Sequence, residues 1–395
     1  MTGSVLLYVQ HLLGIGHLRR SLRIAGALRH EGIRVTVVSG GEPLSTIDSV
    51  TADRAVQLPP IRAGDSGFQT LVDAAGHPVG EELQSSRRAS LLAVFAEENP
   101  DALLIEAFPF GRRAFRFELD ALIKAASSQR SRPLILCSLR DIVVPPSDPR
   151  RPREIVDQVR RDFDFVLVHG DPEFIPLEDS FPLAPEIKDK LIYTGYVAEP
   201  CQAGDPDYRG HGPGTEQVLV SAGGGAVGGT LLATAIETRR RGCLVHLEWR
   251  LLSGPNLPEP EFAKLAEALP RGVSLERYRP DFPQMLRDCR VSISQAGYNT
   301  VLDILQAGAP AVVVPFAAGR ETEQNLRAER LAARGVLEMV REEELSPERL
   351  ASAVARVASK RRAAVAIDTA GTRRSAALIA EMMRRRDREI GLGSW

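Results

Sequence analysis

The sequence predicts an α/β protein of two Rossmann-like domains with parallel sheets, and three stretches of the chain predict it. Two open alike: an apolar strand at 5–9 runs into the Gly-rich loop GIGHLRR (14–20), and a strand at 217–221 runs into GGGAVGG (223–229). Each loop is followed by a helical pattern, the opening of a βαβ unit. The third stretch, RVSISQAGYNTVLDILQAGAPAVVVPFAAGRETEQNLRA (290–328), reads strand, tight turn, helix, turn, strand, loop, helix. Its second strand, Ala311 to Val314, is wholly apolar, as a strand buried on both faces of a parallel sheet must be. Between the two openings lies EPCQAGDPDYRGHGPGT (199–215), rich in Gly, Pro and charge, which reads as a linker. The expected division is therefore residues 1–198, the linker 199–215, a second domain 216–370 and a final helical segment 371–395.

In chain order, the helix after the first strand runs to about His30 and closes at Glu31-Gly32, and Ile33 to Val38 makes the second strand. The crossover is no dinucleotide fingerprint, because Arg19 stands where GxGxxG needs its third glycine. Gly14 and Gly16 let the backbone pass close to a ligand, and His17 sits at the helix N-terminus near the C-terminal edge of the sheet. The positive end of the helix lowers the pKa of His17, so the imidazole is neutral and able to accept a proton. Residues 40–82, studded with Gly41, Pro43, Pro59, Pro60, Gly64, Gly67 and Gly76, read as a variable loop that shapes an acceptor site.

A helix from about Glu82 to Asn99 leads to a strand, Ala102 to Ile105, that ends at Glu106, a carboxylate at a strand's C-terminal end. The segment FPFGRRAFRFEL (108–119) gathers Phe108, Phe110, Phe115 and Phe117 among Arg112, Arg113 and Arg116. It reads as a helix with Phe toward the core and Arg toward water; the alternative is a peripheral membrane contact, Phe inserting and Arg meeting phosphates. Strands follow at Pro133 to Ser138, Phe165 to His169 and Leu191 to Thr194, with a helix ending near Phe163.

In the second domain the loop holding Gly223, Gly224 and Gly225 can bring several N–H donors onto a pyrophosphate. Strands are expected at Leu244 to Leu252 and Val273 to Glu276. In the third stretch, Gly297, Asn299 and Thr300 form the turn and helix start that suit a phosphate, and Asp303 lies one turn further along the same face, placed for a ribose diol. A helix (about Glu321 to Arg334), a short strand (Val336 to Val340), a helix opened by Ser346 as N-cap with Pro347 behind it, and a basic helix from about Thr372 to Arg388 complete the chain.

The run SxxGxxTxxDxxxxGxPxxxxPF (294–316), followed by Glu323-Gln324, resembles the donor half of GT-B glycosyltransferases. The likeness is to the group (glycosyltransferase family 28-like) that contains the peptidoglycan lipid-linked N-acetylglucosaminyltransferase and the diacylglycerol sugar transferases. That resemblance implies two sheets facing across a cleft and a last helix that crosses back to the first domain. It implies a nucleotide sugar as co-substrate, UDP in this group, with no metal and no other cofactor. It assigns the donor diphosphate to the Gly223–Gly225 loop, with Gly14, Gly16, Gly297, Asn299 and Thr300 as further candidates. It assigns the ribose to Asp303 (a Glu in most of the group), the base to Tyr278, Arg279 and Phe282, and sugar hydroxyls to Glu323 and Gln324. Arg327 stands where the group has Asn. The Gly-His loop is that group's acceptor-side base, and relatives that use an acid at the strand end to orient it make Glu106 the partner of His17. GxGHxxR (14–20) also resembles the UDP-sugar hydrolase of pseudaminic acid biosynthesis, in which water replaces the acceptor. A non-catalytic nucleotide-sugar-binding module is the third reading.

Composition excludes other classes. The 395 residues suffice for two cores, and 44% hydrophobic with 26% charged residues is ordinary for a globular protein. A net charge of −1 gives no argument for nucleic acid. Cys137, Cys201, Cys243 and Cys289 have no CxxC spacing, so neither zinc nor a disulfide framework is indicated. No apolar run approaches the ~18 residues of a membrane helix and the N-terminus has no basic leader, which points to the cytoplasm. The acceptor is left open.

Overall fold

A computed structural model of the chain describes residues 3–12, 16–43, 51–64, 70–146, 148–198, 217–223, 228–316, 322–359 and 367–392. The expected linker at 199–215 lies outside them, as do Gly14, Gly224 and Gly225. Two units separate, Met1–Glu199 with Asp368–Trp395, and Pro200–Ile367.

In the first unit the strands are β1 (Ser4–Val9), β2 (Arg34–Ser39), β3 (Arg54–Gln57), β4 (Arg62–Ala63), β5 (Leu71–Val72), β6 (Ala102–Glu106), β7 (Leu134–Arg140), β8 (Phe165–His169) and β9 (Leu191–Tyr193). Between them run α1 (Gly16–His30), α2 (Glu81–Glu98), α3 (Arg116–Ser127) and α4 (Arg151–Asp162). Seven strands form a sheet in the order β3-β2-β1-β6-β7-β8-β9, all parallel, and β4 pairs with β5 apart from it. Because side chains alternate along a strand, β1 feeds two cores. Leu6 and Tyr8 join Leu103, Ile105, Leu119 and Phe163 on one face, while Val5, Leu7 and Val9 join Leu104 and the α1 residues Leu18, Ile24 and Leu28 on the other.

The second unit holds β10 (Gln217–Ser221), α5 (Gly229–Arg240), β11 (Glu248–Leu252), α6 (Glu259–Glu267), β12 (Val273–Glu276), α7 (Phe282–Asp288), β13 (Val291–Ser294), α8 (Tyr298–Ala307), β14 (Ala311–Val313), α9 (Glu323–Ala333), β15 (Glu338–Met339) and α10 (Pro347–Ala358). Its six strands lie in the order β12-β11-β10-β13-β14-β15, again parallel. The last helix, α11 (Gly371–Leu392), belongs to the first unit, where Ala376, Ile379 and Met383 pack with α1. In each sheet the chain order reverses beside the first strand, at β1/β6 and at β10/β13. Ligands of such sheets bind outside the C-terminal strand ends at that reversal.

Three expectations change. The 40–82 stretch contributes β3, which extends the sheet beside β2 and is held by Arg54 donating to Glu98 (2.7 Å) and Glu97 (2.9 Å). Four residues of mixed polarity on a sheet edge give too weak a pattern to be read locally. The strand expected from Leu244 starts only at Glu248. Phe108, Phe110 and Phe115 are buried in the first core and Phe117 packs against it, so the membrane-insertion reading of that segment is withdrawn.

A largely buried polar network fixes the start of the 40–64 segment. Arg87, on α2, donates to both carboxylate oxygens of Glu118 (2.6 and 2.9 Å), to Gln10 Oε1 (2.9 Å) and to the carbonyls of Gly40 (2.9 Å) and Pro59 (2.5 Å). Tyr8 donates to the same carboxylate at 2.5 Å, and Gln10 Nε2 donates to the Ile61 carbonyl at 3.0 Å. A buried charge this fully paired is tolerable; half of it would not be.

Candidate active site

The reversal between β1 and β6 places His17 and Glu106 against each other. His17 is the second residue of α1 and Glu106 the last of β6. Their side chains meet at 2.5 Å, imidazole Nδ1 to carboxylate Oε1. Arg20, one helical turn beyond His17, donates to the same oxygen at 2.5 Å, and Arg112 stands 3.7 Å from the other oxygen. Glu106 is fully buried, and burial works against its charge; His17, Arg20 and Arg112 outweigh that and hold the carboxyl well below the usual carboxylate range. Burial, with Arg112 and Arg140 adding to it against the pull of Glu106, lowers His17 to about 4. At neutral pH the ring is therefore neutral. An ionised Glu106 accepts the Nδ1–H, which leaves Nε2 with its lone pair, and the side chain is still 20% exposed. The histidine, its orienting acid and the tautomer suit general-base work.

At the corresponding reversal of the second sheet, Gly223 follows β10 and Gly297 follows β13. Gly223 has φ +72° and would bring a Cβ to 4.0 Å from Thr300 Oγ1, so the two loops are neighbours. Gly228 (φ +140°) opens α5, and a Cβ there would lie 2.4 Å from that of Ala222. Neither N-cap residue, Gly228 before α5 or Gly297 before α8, supplies a side-chain cap. Two uncapped helix starts on adjacent strands make a ready anion site. Asn299 and Thr300 lie in the first turn of α8, with Asp303 one turn on, and the buried Oδ1 of Asn299 has no hydrogen-bond partner among the described residues. Tyr278 is exposed, Arg279 forks onto Asp281 at 2.8 Å, and Phe282 opens α7 half-buried.

Glu323 is buried and Gln324 half-buried. Gln324 Oε1 accepts the backbone N–H groups of Ala296 (3.0 Å) and Phe316 (3.1 Å), joining the β13–α8 turn to the end of β14. Buried Glu323 pairs with Arg327 at 2.8 Å, and Arg327 donates to the Ala296 carbonyl at 3.2 Å beneath the Tyr298 ring. The three residues brace the turn that would face the phosphate.

Residues 223–382 match the model of the glycosyltransferase family 28 C-terminal domain. The first unit's fold is matched through whole solved structures: a calicheamicin glycosyltransferase (TM-score 0.60, 18% identity, covering 100% of this chain and 99% of that one) and MurG of Acinetobacter baumannii (TM-score 0.59, 16% identity, 96% and 100%). The chain is a family 28-like protein of GT-B fold. Similar in sequence to this family 28-like chain is the UDP-N-acetylglucosamine–N-acetylmuramyl-(pentapeptide) pyrophosphoryl-undecaprenol N-acetylglucosamine transferase of Brucella anthropi, 32% identical over 168 residues, 41% of this chain and 44% of the relative. The enzyme of the same name from Rhizobium etli is 29% identical over 205 residues, 49% and 54%. The family 28-like chain thus spans about half the length of the curated relatives it matches.

Sequence reasoning missed two residues of the first-unit site. Arg20 was legible, three residues after His17 and so on its helix face. Arg112 was not: it was read as facing water, yet its side chain is only 13% exposed and turned to Glu106. Among the described residues no helix is long and apolar enough to cross a membrane, and no group of His, Cys, Asp or Glu could hold a metal ion.

Proposed function

We propose that this chain is a metal-independent glycosyltransferase that moves a hexose-type sugar from a UDP-sugar to an acceptor hydroxyl, with His17 as general base, acting in the cytoplasm. The observation that carries the reading is the 2.5 Å His17–Glu106 pair in a chain that also bears the family 28 domain. In the reaction His17 Nε2 takes the hydroxyl proton and the acceptor oxygen bonds to the anomeric carbon. The bond from that carbon to the diphosphate oxygen breaks, and the nucleoside diphosphate leaves with the electron pair. Glu106 stabilises the imidazolium that forms.

Developing charge on the diphosphate is met by the N-termini of α5 and α8 with Gly223, Gly297, Asn299 and Thr300, and Gly14, Gly16, Gly224 and Gly225 complete the assigned loops. Asp303 takes the ribose diol, and Tyr278, Arg279 and Phe282 take the base. Glu323 and Gln324 serve the sugar through the turn they brace. The relatives are named as transferases of UDP-N-acetylglucosamine, which supports the UDP donor.

Arg20 on Glu106 favours a second reading, the hydrolase, because GxGHxxR ends at that residue. Purified chain with a panel of nucleotide sugars, with and without alcohol acceptors, separates the readings. UDP release only when an acceptor is present supports transfer, and fast release in water alone supports hydrolysis. His17→Ala should abolish either by about 10²–10⁴-fold without loss of donor affinity. Donor binding with no turnover under any condition leaves a binding module.

A further inference from the structure

His11 and His17 bracket the turn from β1 to α1, one ring on each flank of β1. His17 leans to β6, where it meets Glu106. His11 leans to β2: a Cβ on Gly41, two residues past that strand, would lie 2.5 Å from its ring Nδ1 and 2.6 Å from Nε2. Because β2 and β6 are the two neighbours of β1, the rings stand roughly one to two strand spacings apart, ~5–10 Å.

The His11 ring is held in place but not hydrogen-bonded. Gln10 Nε2 donates to the His11 carbonyl (2.9 Å), and Gln10 itself belongs to the buried Arg87 network. Gln57 Nε2 donates to the Gly41 carbonyl (2.8 Å), which keeps the glycine against the ring. His11 is 5% exposed, and neither ring nitrogen has a hydrogen-bond partner among the described residues. Burial lowers its pKa, with Arg112 adding to that against the backbone and charge of Glu42, so the ring is neutral. A neutral imidazole carries one N–H donor and one lone-pair acceptor. If the Glu42 backbone takes one of them, the other is still open. Buried polar atoms left open at the C-terminal edge of a parallel sheet, where ligands bind, destabilise the chain until something fills them.

We propose that His11 is a specificity-determining residue for the acceptor, hydrogen-bonding a second hydroxyl of it while the reacting hydroxyl lies at His17. The inference rests on the reading of His17 as the acceptor-side base. A hydroxyl both donates and accepts, so it suits whichever nitrogen it reaches; a carboxylate suits only the N–H and an ammonium only the lone pair. The separation of the rings suits two hydroxyls of one carbohydrate or cyclitol, so the acceptor is a polyhydroxy compound and not a simple alcohol. Seating it displaces the Glu42 end of the segment beside the ring, and the exposed Glu42–Arg62 pair (3.3 Å) is a weak tie against that movement.

The test uses the full chain with its best nucleotide sugar at saturation and two acceptor probes. Methyl glucoside and cyclohexanol are rings of like size, one with several hydroxyls and one with a single hydroxyl. The wild type should show the higher kcat/KM for UDP release with methyl glucoside. His11→Phe, which keeps a flat ring against Gly41, should lower that kcat/KM by roughly three- to tenfold, through KM, and so remove most of the preference over cyclohexanol. Gly41→Ala, which pushes the ring aside, should do the same. In the wild type, methyl glucoside should also move the nitrogen signals of isotope-labelled His11, a reading that needs no variant. A preference for methyl glucoside unmoved by His11→Phe, equal use of both alcohols by the wild type, or unmoved His11 signals at saturating methyl glucoside overturns the proposal. A variant that loses both alcohols alike marks a structural role and overturns it too. UDP release accelerated by neither alcohol strikes the transfer reading itself, and the proposal with it.

Discussion

Replacing Glu106 by Gln changes one atom type at the centre of the first-unit site. The carboxylate accepts the Nδ1–H of His17 at 2.5 Å and fixes the tautomer whose Nε2 can take a proton. An amide turned to donate to Nδ1 would instead favour the Nε2–H tautomer, which is no base. In a Ser-His-Asp triad that exchange costs about 10⁴ in kcat, and roughly 10³–10⁴ is expected here, about 4–5.5 kcal/mol of barrier. Glu106 also opposes the lowering of His17, so its loss should depress the imidazole further.

The assay is UDP release from the best nucleotide sugar of the panel, with calorimetry for donor affinity and circular dichroism to confirm folding, because Arg20 and Arg112 lose a buried partner. In the wild type, kcat/KM should stay level from neutral pH downward and fall through a midpoint near 4 as His17 gains its proton. The sign follows from the lowered value: the base form persists below the ordinary imidazole range. Stability shifts in the same sense, since between pH 6.5 and about 4 the unfolded chain takes up a proton that the folded one refuses. Turnover by folded Glu106→Gln equal to that of the wild type would refute the orienting role. A kcat/KM midpoint at or above 6.5 would refute the buried, cation-flanked histidine.

Three further outcomes can be checked. Asp303→Ala should weaken UDP binding by roughly 1.5–3 kcal/mol, the worth of a charge-assisted hydrogen bond; unchanged calorimetric affinity in a folded variant would remove Asp303 from the site. Gln324→Ala frees the N–H groups of Ala296 and Phe316 and should lower affinity for UDP and for the whole nucleotide sugar alike. A loss confined to the nucleotide sugar would make it a direct sugar contact instead. Arg87→Met strands the buried Glu118 carboxylate and should cost about 3–5 kcal/mol in urea unfolding, against a near-neutral result if the network is dispensable.

Both parallel sheets were legible in the sequence because a strand buried on two faces is apolar throughout, and Gly-Pro punctuation marks its ends. The strands at Phe165–His169, Gln217–Ser221 and Val273–Glu276 lie where the pattern put them. β3 was not legible, because an edge strand alternates weakly and gains its stability from Arg54 and two glutamates far along the chain. His17 and Glu106 stood out singly, each by its place at a strand or helix end. Their contact across 89 residues was a consequence of β1 and β6 being neighbours.

What the sequence by itself determined about this protein is therefore its periodicities, its turn chemistry and the family 28-like motif, all of which are local. Tertiary structure alone decided where the charges went. It buried Arg112 against Glu106 instead of leaving it in water. It spent Glu323, Gln324 and Arg327 on holding one turn. The physical reason is that desolvation and pairing, which set both the fate of a charged side chain and the base strength of His17, depend on neighbours that only folding supplies.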